Sequence, residues 1–166
     1  GDSNKLEDLF VRIVAGLLGD RSPLFVTPRM QFVRRRGAAI LERELDSPGE
    51  SSQRVIEAGE ELGELGYEPA LHRKPNDMNF FVYRDGLRCK VTVADKRFEI
   101  HPPSGETQSV AAEDLRSELQ EHPDHFSFNV VTRAVASDAI LPTLAYIAGP
   151  GEIAYLAQLR DAFAFF

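Results

Sequence analysis

The sequence predicts an α/β protein in which helices accompany a small antiparallel sheet, followed by an apolar strand, a glycine turn and a further helix. Three patterns favour this class. Apolar residues recur at helical spacing between Asn4 and Leu18. Asp85-Gly86 separates two runs rich in aromatic and β-branched residues, which is a strong hairpin signal. Leu144 to Ala148 is apolar without alternation, which is typical of a parallel strand buried on both faces.

The first half of the chain is predicted to be mainly helical. The pair Asn4 and Glu7 resembles a capping box, and Gly19 ends the first helix. After a short apolar run at 24–26, which suits a strand, Thr27-Pro28 is typical of an N-cap and first helical position. This second helix is expected to run towards Leu45, and a third helix spans 51–65 and ends at Gly66.

Three consecutive arginines, at 34–36, lie on the predicted second helix. A basic triplet could hold phosphate. Because the surrounding chain is acidic, with 19 Lys and Arg against 26 Asp and Glu, we favour a solvated helix face.

The middle of the chain is predicted to form strands at 80–83, 87–93 and 98–101. Cys89 alternates with the charged neighbours Arg88 and Lys90, so its side chain should face the interior as a small core residue rather than act as a nucleophile. Ser109 is then expected to cap a helix over 111–121 whose inner face is Leu115 and Leu119.

The apolar run at 144–148 needs parallel neighbours, and no earlier segment supplies enough of them. Together with the aromatic residues Phe163, Phe165 and Phe166 at the end of the chain, it indicates the edge of a Rossmann-type sheet whose remainder lies outside this sequence. The aromatic end alone would equally suit a helix docked on its own domain. The first residues lack a Met and the features of a signal peptide.

Gly149 and Gly151 would allow unusual backbone conformations and a close ligand approach, and the next helix offers free N–H groups. Glu152 in its first turn would repel phosphate, so it suits a ribose hydroxyl or an ammonium group, or simply caps the helix. Arg133 is suited to a carboxylate or phosphate, or to a structural ion pair with Asp138 or Glu152.

His122 and His125 flank Pro123-Asp124, an arrangement that could be imagined as a metal site. Only three donors are available in this stretch, so we predict no metal. A net charge of −7 opposes binding to nucleic acid or anionic membranes. No apolar run reaches the ~20 residues that span a bilayer, and the single cysteine suits the cytoplasm.

Three linked motifs resemble the bacillithiol biosynthesis cysteine-adding enzymes, a family of cysteine ligases. They are FSFNVVTR at 126–133, LPTLAYIAG at 141–149 and GPGEIAYLAQL at 149–159. The resemblance continues weakly upstream, through Leu65-Gly66-Tyr67 and the Asn79-Phe80-Phe81 strand, so that it covers most of the chain.

The resemblance implies a Rossmann-like core similar to class I synthetases, with residues 1–125 as an inserted α+β connecting region and residues 126–166 as part of the core. The matching positions are candidates for binding substrate or nucleotide, while the catalytic residues are unknown. These candidates are Asn129, Arg133, Gly149, Gly151, Glu152, Tyr155 and Gln158. The resemblance also implies a parent homodimer, joined by a coiled coil not found here.

The function implied is part of a ligase that joins L-cysteine to glucosaminyl malate, with ATP suspected of activating the carboxyl group. The fragment alone is expected to be inactive. The alternative is a non-catalytic docking or oligomerisation module of a nucleotide-binding protein, for which polar candidates need not converge on one cleft. A synthetase-like domain acting on transfer RNA is disfavoured by the acidic charge.

Overall fold

The structure is a computed structural model, and it describes residues 6–166. Seven α-helices and five strands lie within this range. The helices are α1 (Leu6–Leu18), α2 (Gln31–Asp46), α3 (Glu50–Glu64), α4 (Ala112–Glu121), α5 (Val130–Ile140), α6 (Pro150–Gln158) and α7 (Arg160–Phe165). The strands are β1 (Asp77–Arg84), β2 (Leu87–Ala94), β3 (Arg97–His101), β4 (Gln108–Val110) and β5 (Phe126–Phe128), and short 3₁₀ turns occupy Gly19–Arg21 and Pro123–His125.

The strands form one antiparallel sheet in the order β4-β3-β2-β1-β5. The predicted α/β class, the small antiparallel sheet and the hairpin are confirmed. Asp85 and Gly86, at φ 51° and 75°, form the two-residue turn between β1 and β2, where a left-handed backbone matches the twist of the strands.

The main core lies between one face of the sheet and helices α2 and α4. Alternating strand residues such as Phe80, Val82, Cys89 and Val91 point into it and are buried. Leu115 and Leu119 of α4 cover them, as predicted. Arg88 and Lys90 face the solvent, so the predicted inward orientation of Cys89 is confirmed.

A second, smaller core joins α3, α5, α6 and α7 through Val55, Val131, Leu159 and Ala162. Phe165 is buried and lies beneath the guanidinium groups of Arg43 and Arg54, which are 4.6 and 5.2 Å from its ring centre. The aromatic end of the chain is therefore packed against its own domain.

Four local predictions are wrong. Residues 24–26 form no strand, and α2 begins at Gln31 rather than near Thr27, because Thr27 and Pro28 take part in a turn instead. Ser109 lies in β4, paired with Glu99, and Ala111 occupies the N-cap of α4. The suggested Asn4 cap of α1 lies outside the described residues, whereas the helix itself is confirmed.

The fourth correction concerns the predicted parallel strand at 144–148. This segment is irregular and pairs with none of the described strands; Leu144 and Ile147 are almost fully exposed. An apolar run forms a strand only where neighbouring strands satisfy its backbone groups, and residues 6–166 offer it none.

The proposed boundary at residue 125 stays a prediction. β5 pairs with β1 through Phe80, Phe81 and Val82, so residues on both sides of that boundary share one sheet. Within the described part of the chain, no helix has the length and apolar character needed to cross a bilayer.

Candidate functional site

A polar cleft of about 370 Å³ opens where the β5-α5 junction faces the loop before α2 and the ends of β1 and β2. Four arginines from four parts of the chain reach it, namely Arg29, Arg34, Arg88 and Arg133. Glu7, Tyr83, Ser127 and Asn129 complete its polar lining. A larger groove of about 800 Å³ adjoins it and shares Arg29, Arg34 and Tyr83.

The arginines are held mainly by neutral acceptors. Arg34 donates to the backbone oxygens of Asp124 and Phe126, and Arg88 donates to Phe128 O (2.6 Å) and Ser127 Oγ (3.0 Å). Arg29 alone of the four forms an ion pair with a carboxylate of residues 6–166, that of Glu7 at 3.2 Å. Three guanidinium charges in the cleft are therefore uncompensated by an ion pair within the described residues.

Arg88 also stacks on a ring, its guanidinium carbon lying 3.8 Å from the ring centre of Phe81. This contact and its two hydrogen bonds fix the side chain, although Arg88 is exposed. A pre-positioned guanidinium group loses little further freedom when it binds a carboxylate or phosphate.

Arg133 links this cleft to the turn before α6. Its Nη2 atom donates to the hydroxyl of Tyr155 (3.3 Å), which donates to Glu152 Oε1 at 3.3 Å. The hydroxyl of Tyr146 reaches the same oxygen at 3.5 Å. Arg133, Tyr155 and Glu152, all predicted candidates, are thus brought together by α5 and α6.

Glu152 also acts as a cap, because its Oε2 atom accepts a hydrogen bond from the backbone N–H of Gly149 (3.3 Å). Partial burial, followed by the proximity of Tyr155 and Glu152, raises the pKa of Tyr146. Tyr146 therefore stays a neutral hydrogen-bond donor to the carboxylate at physiological pH. The two interpretations of Glu152, helix cap and binding group, are compatible.

Asn129 lines the cleft, although only 5% of its surface is exposed. Its side-chain oxygen accepts bonds from Val131 N and Thr132 N and so caps α5. Its side-chain nitrogen donates to Asn79. These bonds anchor the helix that carries Arg133 one turn later.

Gln158 lies away from the cleft and is 1% exposed. Its amide bonds Leu71 N, Leu71 O and Val55 O, which ties α6 to α3 and to the loop after it. Gly149 and Gly151 flank the turn, but neither has a positive φ; Gly149 adopts an ordinary extended conformation. The expectation that these glycines provide unusual backbone geometry is wrong.

Sequence reasoning missed Arg34 and Arg88 as members of the cleft. Arg35 and Arg36 are exposed as predicted, but Arg34 turns towards β5 and is half-buried. The alternative considered for Arg133, an ion pair with Asp138 or Glu152, does not form. The one available signal was the concentration of arginine in an otherwise acidic chain.

Known proteins resemble this chain along almost its whole length. The family model described as Bacillithiol biosynthesis BshC, N-terminal Rossmann-like domain, matches residues 1–166. Several bacteria have proteins named "Putative cysteine ligase BshC" that are similar to this chain. That of Prosthecochloris aestuarii is 33% identical over 99% of this chain and 29% of its own length.

The relative from Salinibacter ruber is 33% identical over 93% of this chain and 27% of its own. The relative from Natranaerobius thermophilus is 34% identical over 97% of this chain and 29% of its own. The chain thus spans less than a third of each relative. The family resemblance stated from the three motifs is confirmed: this chain belongs to the bacillithiol biosynthesis BshC family, in the part described as its N-terminal Rossmann-like domain.

Proposed function

We propose that this chain is part of a longer cytoplasmic ligase that joins the carboxyl group of L-cysteine to the amino group of glucosaminyl malate. The observation that carries the proposal is the cleft in which Arg34, Arg88 and Arg133 lack carboxylate partners among the described residues. Carboxylates and phosphates are the groups that such guanidinium ions bind most strongly. The malate carboxylates and a nucleotide phosphate both have this chemistry.

The proposed reaction activates the cysteine carboxylate with ATP. A carboxylate oxygen attacks the α-phosphorus, giving the mixed anhydride of cysteine and AMP and releasing pyrophosphate. The amino group of the sugar then attacks the cysteine carbonyl, an amide forms, and AMP leaves together with a proton. The cleft would hold anionic groups of the reactants in position, which lowers the entropic cost of bringing them together.

Glu152 suits a cationic or hydroxyl partner rather than an anion. Its Oε1 atom already accepts bonds from two tyrosine hydroxyls, and it lies at the free N–H end of α6. We infer that it receives the ammonium group of cysteine or a ribose hydroxyl, beside the anions held by Arg133. The 166-residue chain contributes this one part of the proposed active site, and we expect it to lack ligase activity on its own.

A docking or oligomerisation module is the second candidate. The observation that favours it is the apolar surface of α1. The exposed fractions of Leu6, Phe10 and Leu17 are 82, 61 and 81%. Docking alone, however, would not require Arg133 and Asn129 to line one cleft, or Arg133 to be linked through Tyr155 to Glu152. We therefore rank substrate binding first.

The test is mass-spectrometric detection of bacillithiol from the full-length ligase supplied with cysteine, glucosaminyl malate and ATP. We expect Arg133→Gln to raise the KM for an anionic substrate about tenfold or more, since a charge-assisted hydrogen bond contributes about 1.5–3 kcal/mol. Arg36→Gln is the matched control, because Arg36 is exposed on α2 and does not line the cleft.

Glu152→Gln is expected to abolish or strongly reduce product while the protein stays folded by circular dichroism. Product formation at the parent's rate by both Arg133→Gln and Glu152→Gln would rule out the cleft as a substrate site. Absence of product from the unmodified ligase, under conditions in which another family member is active, would contradict the reaction itself.

A further inference from the structure

We propose that His122, Asp124 and His125 form a binding site for a divalent transition metal such as Zn²⁺. One ligand atom from each of the three side chains lies within 4.8 Å of the other two. Asp124 and His125 belong to the 3₁₀ turn Pro123–His125 and His122 is its N-cap, outside the hydrogen-bond network of Glu152 and Arg133. From the sequence we predicted no metal because only three donors were available; the structure shows that these donors meet and adds a supporting residue.

The turn itself explains why the two histidines lie side by side. A 3₁₀ turn has three residues per turn, so residues three apart fall on the same side. Pro123 occupies its first position, and the N–H of His125 donates to His122 O at 2.9 Å. The imidazole rings stack with centres 4.8 Å apart and an angle of 18° between their planes.

Glu118 orients one of these rings. Its Oε1 atom lies 2.9 Å from Nδ1 of His125, and Arg84 donates to both of its oxygens at 2.7 Å. A carboxylate held in this way accepts a hydrogen bond from an N–H group, so Nδ1 of His125 carries the hydrogen and Nε2 keeps its lone pair. Carboxylates that fix a histidine from behind in this manner are typical partners of metal-binding imidazoles.

The donor set points to the class of metal. Two imidazole nitrogens and one carboxylate oxygen suit Zn²⁺, Ni²⁺ or Cu²⁺, whereas Mg²⁺ and Ca²⁺ prefer oxygen ligands. His122 and Asp124 are exposed and His125 is half-buried, so their side chains have room to rotate towards a shared ion. Three protein ligands leave a further position for water or for a ligand atom.

The position of the cluster suggests what a bound metal would do. Asp124 and Pro123 line the larger groove that adjoins the arginine cleft, together with Arg34 and Arg35. The positive charge of nearby Arg84 is already compensated, because Arg84 forms an ion pair with Glu118. A metal at this rim would add a positive charge and an open coordination position to a groove lined by Arg34, Arg35 and Glu121.

The test is a zinc titration of the full-length protein, stripped with a chelator, by calorimetry, with Co²⁺ absorption spectra as a second readout. We expect His122→Ala and Asp124→Asn each to lower zinc affinity by at least tenfold and to weaken the Co²⁺ bands. Both residues have exposed side chains, so these variants should fold. His72→Ala is the matched control, because His72 is exposed elsewhere on the surface.

Glu118→Gln tests the orienting role and is expected to lower the affinity about 10–100-fold without removing a ligand. Equal zinc stoichiometry and affinity in the parent, His122→Ala and Asp124→Asn would overturn the proposal, as would a parent that binds no zinc. Both readouts are independent of ligase activity, so a failure here leaves the proposed reaction untouched, and the reverse also holds.

Discussion

Asn79 lies at the centre of a buried network of hydrogen bonds that joins three helices to β1. Its backbone N–H donates to Glu44 at 2.7 Å, and its side-chain nitrogen donates to Ser51 and Ser52. Asn129 donates to its side-chain oxygen, and Thr132 to its backbone oxygen. Because every bond in this network is shielded from water, the network fixes the start of α5 and hence the position of Arg133.

Glu44 is the ionisable group of this network and is completely buried. Burial is the main influence and raises its pKa above the usual range, although bonds from Ser51 and Asn79 oppose the change. The folded state therefore favours the protonated carboxyl. The resulting stabilisation is fully present below the pKa of the unfolded chain and is lost as the pH rises through the higher folded-state value.

We expect Glu44→Gln to remove this pH dependence. Glutamine keeps an oxygen for Asn79 N–H and can donate to Ser51, so the network can survive without a charge. Urea unfolding between pH 4.5 and about 8 should show the parent losing stability relative to the variant as the pH rises. Glu60→Gln, an exposed substitution on α3, is the control and should retain the parent's profile. A constant difference between parent and Glu44→Gln across this range would contradict the assignment.

At the scale of elements, α2 approaches the ring of Phe128 in β5 closely at Gly37. A Cβ atom added to Gly37 would collide with the ring of Phe128, so the helix can approach this strand only at a glycine. That contact places the N-terminal part of α2, with Arg34, beside the cleft. The glycine is therefore a packing requirement and not a conformational one.

Gly37→Ala is expected to destabilise the protein by about 1–3 kcal/mol, the usual result of overpacking a well-filled core. Gly63→Ala on α3 is the matched control, since nothing lies within 4 Å of the added atom there. It should be stabilising by about 0.5–1 kcal/mol, because alanine favours a helix. The free energies of unfolding in denaturant measure both. An unchanged stability for Gly37→Ala would mean that α2 lies farther from β5 than described.

The elements that sequence reasoning predicted well are those defined by neighbouring residues. Asp85-Gly86 determines its hairpin locally, and Gly66 ends α3 at φ 86°. Leu144 to Ala148 was misjudged because a strand needs distant partners, which an apolar run cannot reveal. Within the site, Arg133 could be identified from its motif, whereas Arg88 comes from a different strand and meets it only after folding.

The whole molecule combines a net charge of −7 with a cleft lined by four arginines. A net negative charge disfavours nucleic acid, whereas the cleft brings together four arginines beside the carboxylate of Glu7. The fold therefore places positive charge at one site while the rest of the surface discourages nonspecific anions. This separation could not be predicted from the total charge.

We expect the cleft to bind L-malate, the acid moiety of the proposed acceptor, with an affinity that falls as salt rises from about 0.05 to 0.5 M. Calorimetric titration of the full-length protein measures this. Arg88→Gln should weaken binding and reduce the salt dependence, whereas Arg160→Gln on α7, which does not line the cleft, should change neither. Salt-independent binding would show that guanidinium charges do not hold the ligand.

We expect the pairing of β1 with β5 to form late in folding. β1 and β2 are joined by a two-residue turn and can form a hairpin within about 1–10 µs. Phe81 meets Ser127 only after three further strands and α4 have been closed into a long loop, whose entropic cost grows with its length. Arg34 and Arg88 bond the backbone oxygens of Phe126 and Phe128 in β5, so we expect the cleft to be completed only when β5 pairs with β1.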